Sequence, residues 1–574
     1  MIASLTLGSA LAIGLQLALG GTGHASARGL AVDSGRTIKY VRSAQASFES
    51  FRRSRLPYGE SGYGRDCDVR VGRYCYWREE EPDDDEKPEP ELPVVIERRT
   101  ALIRLLDSVA RVLPGDAWIA GQRVRYLAEA ERTDDALKAA TECRAEAWWC
   151  MALGGYAAHV AGRFAVADSL YGRALDLMPT DQRCRWTDIR DVVEGDLGDR
   201  LKDKPCAERE AMARRIYWLG APLWSVSSTD QLTERFARLT QTRIVERAAT
   251  TEGTTYANDL RNLVIRYGWS RWFTRGDSRL STPYDTPVTG HDGGTAYYFL
   301  PSAQTLDSVP SAPAEWRFDY PRAVSGYAPS YARTLHEISA QVASFRRGDS
   351  TLIVGAWDVR RDSTLVGREL NAALVLAAPG EIRTVVRAEK QRAVGSIQAT
   401  SLIDTGWISL ELLAPTERRA GRLRVGLPKR STGRVTLSDL LFYAPMPGPI
   451  ESLDAVRDSA LARDVAPFNR AVGVFAEAYG LAPQGEHLRF DLTLEQIEIG
   501  WRQRAAERLH LADPTAAVRI HWEEQAHVKD GISSRGTRVD LSGVRDGRYR
   551  MQLRVTADDG STAVSTREIE VRDR

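Results

Sequence analysis

The 574-residue chain contains very little lysine. Only eight of its 78 basic residues are lysines, so arginine carries almost all of the positive charge. The 77 acidic residues balance the basic ones, which excludes a protein that binds nucleic acid through a globally basic surface. The arginine bias alone indicates no particular function, since codon usage can produce it.

Long apolar runs are absent after the N-terminal region. Ile2–Gly21 is uncharged and mostly apolar, and small residues lead from it to Ala25-Ser26-Ala27. This pattern predicts a secretory signal peptide that is cleaved before Arg28. The segment lacks a positive charge of its own, and its length also fits an uncleaved membrane anchor. With cleavage, we expect a chain without a membrane span in the periplasm, the outer envelope or the extracellular space.

Cysteine is scarce, with six residues in the whole chain. In sequence order they form the candidate disulfide pairs Cys67/Cys75, Cys143/Cys150 and Cys184/Cys206. Six cysteines allow many other pairings, so sequence order gives only a preference. On one continuous helix Cys143 and Cys150 would lie about 10 Å apart, too far for a disulfide. Their pairing therefore requires a turn at Arg144-Ala145-Glu146.

Recognisable catalytic and metal-binding motifs are also missing. The chain has no G-x-S-x-G elbow, phosphate loop, dinucleotide fingerprint, H-E-x-x-H pair or C-x-x-C zinc spacing. The nearest approach to a metal site is His521–His527, with two histidines and two glutamates. On a strand these residues would form an exposed polar face opposite Trp522, which is the interpretation we prefer. We predict no catalytic residue, no metal and no cofactor.

Hydrophobic periodicity divides the chain into a helical half and a strand-rich half. The predicted units are a signal peptide (1–27), an N-terminal helix with a Cys hairpin (28–78), an acidic Pro-rich linker (79–94), a helical domain (95–267), an irregular Gly/Pro/aromatic segment (268–331), a first β-sandwich (332–446), a linker helix (447–470) and a second β-sandwich (471–574). The predicted fold class is therefore multidomain α + β, with a helical array followed by two Ig-like β-sandwiches.

Two hairpins are predicted within the strand-rich half. Glu337–Phe345 and Ser350–Val359 alternate in polarity around the turn residues 346–349. Near the C-terminus, Gly547–Ala557 and Ser561–Val571 flank Asp558-Asp559-Gly560, and Asp-Gly between alternating runs is a strong hairpin signal.

The clearest helical motif lies between residues 147 and 179. Gly162 ends one helix, and apolar residues then recur on one face of the next. These residues are Phe164, Ala167, Tyr171 and Ala174. The pattern resembles the second helix of a tetratricopeptide repeat (TPR), although Gly154 departs from the first helix of that repeat. The resemblance implies a short TPR-like array.

A second resemblance concerns the chain as a whole. Tyr267-Gly268-Trp269 follows a predicted helix and precedes the strand-rich half. Further similar segments are Cys67 with Gly72–Trp77, Phe345–Ser350, Leu437–Leu441 and Ala478–Leu481. Together they resemble the GWxTD-domain proteins, exported bacterial proteins that often carry TPR units and have no assigned biochemical role. Arg271 and Trp272 replace the Thr and Asp of the naming motif, so the resemblance implies architecture and export without a transferable site.

Aromatic residues are concentrated in the irregular segment. The candidate binding residues are Trp269, Trp272, Phe273, Tyr284, Tyr297 and Tyr298, and Phe299 follows them. One interpretation is packing where the helical domain meets the first sandwich. The other is an aromatic, arginine-flanked groove for a peptide or a glycan.

From these observations we expect an exported, non-enzymatic interaction or scaffold protein of the bacterial envelope. Its expected partner is an envelope protein or a peptide, not a nucleic acid. One alternative is a secreted hydrolase or glycan-active enzyme with its site in residues 268–300, using Asp277, Asp285 or His291. Another is a cell-wall or carbohydrate-binding module in the second sandwich.

Overall fold

A computed structural model gives the structure of the chain. It describes residues 34–58, 69–71, 74–76, 89–193, 195–253, 258–276, 288–291, 296–307, 316, 323–462, 471–497 and 518–571. Helices fill the first half and β-sheets fill the second, so the predicted mixed α + β class is confirmed. The predicted signal peptide lies outside the described residues and stays a prediction.

The helical half contains successive helices that pack against one another. They are α1 (Ser34–Arg53), α2 (Pro93–Val112), α3 (Ala117–Glu129), α4 (Thr133–Glu142), α5 (Ala147–Val160), α6 (Phe164–Leu177), α7 (Thr180–Thr187), α8 (Gly195–Leu201), α9 (Cys206–Gly220), α10 (Asp230–Val245) and α11 (Asn258–Tyr267). Each helix from α1 to α6 packs on the next, and α10 crosses α3, α5 and α6. None of the described helices combines the length and the apolar character needed to cross a bilayer.

The pair α5–α6 has the packing that the sequence predicts. Gly162 takes a φ of 70° in the turn after α5, where a residue without Cβ is favoured. The predicted face of α6 is buried. Tyr171 lies so close to Gly155 of α5 that an added Cβ would be 2.9 Å from its ring. The TPR assignment itself stays a prediction.

Two disulfides brace this half. Cys143 ends α4 and Cys150 lies in α5, and their Cα atoms are 5.6 Å apart. The predicted turn at residues 144–146 separates the two helices, so the condition for this pairing is met. Cys184 of α7 and Cys206 at the start of α9 form the second bond, with Cα atoms 5.5 Å apart. Cys67 lies outside the described residues, so its predicted pairing with Cys75 is not described.

Two small two-stranded sheets accompany the helices. The backbone of β1 (Val69–Val71) pairs with β2 (Tyr74–Tyr76), as predicted for a small hairpin. Within the segment predicted to be irregular, β3 (Trp272–Arg275) pairs with β4 (Val288–His291). A 3₁₀ turn follows at Ala303–Leu306.

The first sandwich consists of two sheets that face one hydrophobic core. Its strands are β5 (Thr334–Glu337), β6 (Ala340–Arg347), β7 (Ser350–Asp358), β8 (Leu370–Ala378), β9 (Glu381–Gln391), β10 (Val394–Ser401), β11 (Gly406–Ala414) and β12 (Arg419–Leu427). One sheet has the order β10-β7-β6, and the other has the order β5-β12-β11-β8-β9. Only β5 runs parallel to its neighbour within these sheets. The strands β6 and β7 form the predicted hairpin around residues 346–349. Its first strand begins at Ala340 and not at the predicted Glu337, because Ile338 and Ser339 separate it from β5.

The second sandwich encloses another core. Its elements are β13 (Thr436–Leu437), β14 (Leu441–Tyr443), α12 (Leu453–Arg457), β15 (Ala471–Tyr479), β16 (His487–Gln496), β17 (Val518–Gln525), β18 (Ile532–Asp540), β19 (Gly547–Ala557) and β20 (Thr562–Val571). In one sheet β15 pairs with β13 and β14 on one side and with β18 on the other. The second sheet has the order β17-β16-β19-β20.

Strand membership differs from the prediction at the boundary between the sandwiches. The alternation of Thr436–Tyr443 in the sequence predicts one strand, and the predicted boundary at residue 446 assigns that strand to the first sandwich. Instead, β13 and β14 pair with β15 of the second sandwich. The predicted linker helix is also shorter than expected, because α12 covers only Leu453–Arg457. Of the described residues around α12, Ile450 and Ala460 pack in a core cluster that includes side chains of both sandwiches.

Candidate functional site

The first predicted aromatic residues lie along the helical half. Trp269, just after α11, is half-buried with its ring centroid 5.5 Å from that of Tyr156 in α5. In the β3–β4 hairpin, Trp272 stacks on His291 with a centroid distance of 5.2 Å. The guanidinium of Arg52 in α1 lies 5.5 Å from the ring centroid of Phe273.

The later aromatic residues approach the first sandwich. Tyr297 pairs through its backbone with Tyr327, and its hydroxyl oxygen accepts a hydrogen bond from the backbone N–H of Leu335 at 3.1 Å. Phe299 is buried beside them, and Tyr298 packs on the helical core. Tyr284, Asp277 and Asp285 lie outside the described residues. The described aromatic residues occupy separate packing environments, which favours the packing interpretation.

The histidines and glutamates of the segment His521–His527 lie apart from one another on β17 and beyond its end. His521 and Glu523 are exposed on β17, and His527 is exposed beyond its end. Trp522 points to the opposite face, where its ring stacks on Phe490. In the part of the chain that the structure describes, no three His, Cys, Asp or Glu side chains are grouped so that they could hold a metal ion.

A buried ionic network surrounds α10, and no motif in the sequence indicates it. Glu234 accepts a hydrogen bond from Arg238 Nε at 2.6 Å and contacts His159 Nε2 at 2.7 Å. Burial alone would raise the pKa of Glu234, but Arg238 and His159 hold it well below its ordinary value. Arg238 also donates to the backbone carbonyls of Arg266 and Gly326, each at 2.8 Å. The network therefore fixes α10 to the chain that leads into the first sandwich.

Asp230 is a second carboxyl group of this network, and its pKa shifts in the opposite direction. It opens α10 and is fully buried. Its Oδ2 accepts hydrogen bonds from the hydroxyls of Tyr331 at 2.8 Å and Tyr327 at 3.2 Å, while its Oδ1 has no partner in the described part of the chain. Burial raises the pKa of Asp230 to about 7.

The cavity beside this network is too small for a substrate. It has a volume of about 20 Å³ and is lined by Gln231, Glu234, Arg235 and Tyr327 among others. That volume holds roughly one water molecule, whereas sites for small organic ligands are typically about 300–1,000 Å³. The ionisable groups around α10 therefore line a cavity that has no room for a small organic ligand.

A second buried network joins the helical half to the first sandwich. Glu411 of β11 accepts hydrogen bonds from the backbone N–H groups of Trp224 at 2.9 Å and Ser225 at 2.8 Å. Arg424 of β12 donates to the carbonyls of Leu219 and Ala221, and its guanidinium lies 3.6 Å from the ring centroid of Trp224. These contacts hold the chain after α9 on the outer face of the five-stranded sheet.

Arg422 completes this interface. It is 2% exposed and donates to the carbonyl of Ala221 at 2.8 Å and to that of Pro222. Burial lowers the pKa of Arg422 to about 10. The only sequence signal was charge at alternate strand positions, which predicts a solvated face when no covering helix is known.

A large cavity lies on the helical half, between α2, α3 and α4. Its volume is about 520 Å³. The apolar part of its lining is formed by Ala110, Leu113, Pro114, Ile119, Ala120, Ala139 and Cys143. The charged part is formed by Asp107, Arg111, Asp116, Arg123, Glu142 and Arg144. We call this cavity the helical groove, and its size is that of a ligand site.

Comparisons with known proteins identify no family. No family model matches the chain, and no curated protein matches it. A tetra-tandem repeat from the extending region of a large adhesion protein is similar at 15% identity and a TM-score of 0.14, covering 41% of this chain and 50% of that one. Red sea bream transglutaminase is similar at 12% identity and a TM-score of 0.14, covering 41% and 32% of the two chains. The FN1–FN3 domains of chicken CNTN1 are similar at 11% identity and a TM-score of 0.14, covering 42% and 67%. Similarities at this level carry no functional argument.

Proposed function

We propose that this chain is an exported, non-enzymatic interaction or scaffold protein of the bacterial envelope, with the helical groove as its partner site. The observation that carries the proposal is the size and position of the groove. At about 520 Å³ it is large enough for several side chains of a partner, and three helices from successive positions in the array line it. We also propose that the chain is related to the GWxTD-domain proteins and that α5 and α6 form a TPR-like unit.

Export is supported by the cysteines. Disulfides persist in oxidising compartments and are rare in the bacterial cytosol. The bonds Cys143–Cys150 and Cys184–Cys206 therefore indicate an oxidising, exported environment. We propose that the signal peptide is cleaved before Arg28. N-terminal sequencing of the protein isolated from its native host should begin near that residue, and an intact Met1 would instead support the membrane anchor.

The two alternative functions have less support. Of the residues named for the enzyme, Asp277 and Asp285 lie outside the described residues. The ring of His291 stacks on Trp272 and contacts Thr274 Oγ1 at 2.9 Å. A glycan-binding face needs exposed aromatic rings, and the exposed aromatic residues among those described are Tyr40 and Tyr58, outside both sandwiches. We therefore place the partner site on the helical groove.

A pair of tryptophan substitutions in α2 tests this assignment. Ala110 lines the groove, and Ala101 is exposed nine residues earlier, on the opposite side of the same helix. Wild-type, A110W and A101W proteins would be cross-linked in envelope extract, and the captured proteins would be identified by mass spectrometry. We expect a captured protein that A101W retains and A110W loses. Identical sets for all three proteins, or no captured protein, would remove the groove as the partner site.

A further inference from the structure

The carboxylates that line the helical groove are already engaged. Asp107 accepts a hydrogen bond from Arg123 Nε at 2.5 Å, and Glu142 lies 2.8 Å from Arg123 Nη1. Asp116 accepts a hydrogen bond from the backbone N–H of Ile119 at 2.9 Å, where it caps the start of α3. A partner that presented arginine or lysine would therefore compete with existing contacts.

Two guanidinium groups in the lining, by contrast, have no carboxylate partner among the described residues. Arg111 donates only to the carbonyl of Asp107 at 3.4 Å and to the hydroxyl of Ser108 at 3.3 Å. Arg144 donates to the carbonyls of Thr141 at 3.3 Å and Cys143 at 3.2 Å. Neither has a carboxylate partner within the described ranges, and both are exposed.

The backbone brings these two arginines to the same end of the groove. Arg111 lies in the last turn of α2, three residues before Pro114. The backbone N–H of Arg144 donates to the carbonyl of Pro114 at 3.0 Å. Arg123 and its two carboxylates are a separate, internally paired group. Apart from Asp116, which caps α3, the charged groups of the groove without an ionic partner among the described residues are therefore the guanidinium groups of Arg111 and Arg144. The acidic and basic residues of the whole lining are equal in number.

We infer that the groove takes an acidic peptide segment of a partner protein, with its side-chain carboxylates on Arg111 and Arg144 and its apolar side chains on the alanine and leucine lining. Guanidinium groups bind carboxylates through two parallel hydrogen bonds, which adds geometric selectivity to charge attraction. This inference rests on the proposed function and names the chemistry of its partner.

The test uses the full chain and a fluorescein-labelled peptide in which glutamate alternates with alanine or leucine. Both peptide ends are blocked, so that only side-chain carboxylates are available, and a companion peptide has glutamine in place of glutamate. Fluorescence anisotropy should show binding of the glutamate peptide that weakens with added salt, because the arginines are exposed. The glutamine peptide should bind about tenfold more weakly or worse.

Charge reversals locate the binding. R111E/R144E should weaken binding of the glutamate peptide by about tenfold or more, because both attractive charges become repulsive. The matched control R104E/R173E reverses two exposed arginines of α2 and α6 outside the groove, and its affinity should stay within about twofold of wild type. Circular dichroism and thermal melting would confirm that both variants are folded.

Three outcomes would overturn the inference. They are equal binding of the two peptides, equal weakening by the two double variants, and no binding of the glutamate peptide at about 1 mM. If A110W still loses a captured protein while the peptide fails, the groove binds a partner of different chemistry and the proposed function stands. If both experiments fail, the proposed function falls with the inference.

Discussion

Glu411 is one carboxylate on which the contact between two parts of the molecule depends. It is 1% exposed, accepts two backbone N–H groups from the chain after α9 and lies 3.7 Å from Arg424. Replacing it by alanine would leave those N–H groups without an acceptor. It would also remove the carboxylate 3.7 Å from buried Arg424 and the strongest attractive charge that acts on buried Arg422.

We expect E411A to lower the free energy of unfolding by about 3–5 kcal/mol, the usual cost of removing one partner from a buried charge network. Urea denaturation followed by tryptophan fluorescence measures this change. The control is E381A, since Glu381 is exposed at the start of β9 and pairs with exposed Arg383. That variant should lose less than about 1 kcal/mol. Equal losses in the two variants would contradict the role given to Glu411.

Asp230 should make stability fall as pH rises through neutrality. Burial raises its pKa to about 7, above the ordinary value of about 3.9, so the folded protein holds this proton more tightly than the unfolded chain. The stabilisation is complete below about pH 4 and is lost as pH approaches and passes 7. The difference of about three pKa units corresponds to about 4 kcal/mol.

The variant D230N isolates this contribution, because asparagine keeps an oxygen for the two tyrosine hydroxyls and does not titrate. Urea unfolding between pH 5 and 8 should show a decline in wild-type stability that is much flatter in D230N. Glu129 and Glu234 do not interfere in this range, because their pKa values are lowered and their effects fall in acid. Parallel pH profiles for the two proteins would refute the assignment.

At the scale of elements, two glycines in neighbouring helices differ in the space around them. A Cβ on Gly155 of α5 would lie 2.9 Å from ring atoms of Tyr171, closer than van der Waals contact. A Cβ on Gly172 of α6 would meet nothing within 4 Å. Both residues lie inside helices, where alanine is intrinsically favoured over glycine by about 1 kcal/mol.

We therefore expect G172A to raise the free energy of unfolding by up to about 1 kcal/mol. G155A should lower it by about 1–3 kcal/mol, because the clash with Tyr171 outweighs the gain in helix propensity. Chemical denaturation of the two variants beside wild type gives both values. Stabilisation by G155A would show that α5 and α6 are not packed as closely as described.

The strands show which features of elements the sequence determines. The Asp558-Asp559-Gly560 turn predicted a hairpin, and β19 and β20 pair around it, with Gly560 at a φ of 80°. Alternation along residues 436–443 correctly predicted extended chain but assigned it to the wrong sandwich. A local pattern specifies side-chain alternation, whereas the pairing partner of a strand depends on residues far away in the chain.

On the scale of the whole molecule, the two sandwiches share a hydrophobic contact. Val456 of α12 is fully buried with Phe345 of β6 and Phe475 of β15. Arg347 and Glu477 form a two-point ion pair across the same contact, at 2.6 and 2.9 Å. Because these contacts exclude water, we expect the sandwiches to unfold together.

V456D tests this coupling by placing a charge in the shared contact. Calorimetry should show one transition for both sandwiches in the wild-type protein, and in V456D a loss of several kcal/mol or a separation into two transitions. The matched control A455D introduces the same side chain at the exposed neighbouring position. A similar effect of both substitutions, or of neither, would mean that the sandwiches are independent.

The sequence by itself determined the helical and strand-rich halves, the hairpin of β19 and β20 and the turn that allows the Cys143–Cys150 bond. These features depend on residues within a few turns or strand positions of one another, so periodicity and turn chemistry specify them. The sequence also indicated that aromatic residues are concentrated between the helical half and the first sandwich. It gave no sign of the helical groove, because alanine, leucine and arginine lining residues form no motif.

Only the tertiary structure decided which charges are buried and which cavity has the size of a ligand site. The sequence pattern around Glu411, Arg422 and Arg424 is that of a solvent-exposed strand face. In the folded protein the chain after α9 covers these three side chains. In the sequence, Asp230 is an ordinary residue at the start of a helix. Only the fold brings it into contact with Tyr327 and Tyr331, about 100 residues later in the chain. Burial is a property of the assembled chain, and it sets both the pKa of Asp230 and the strength of these junctions.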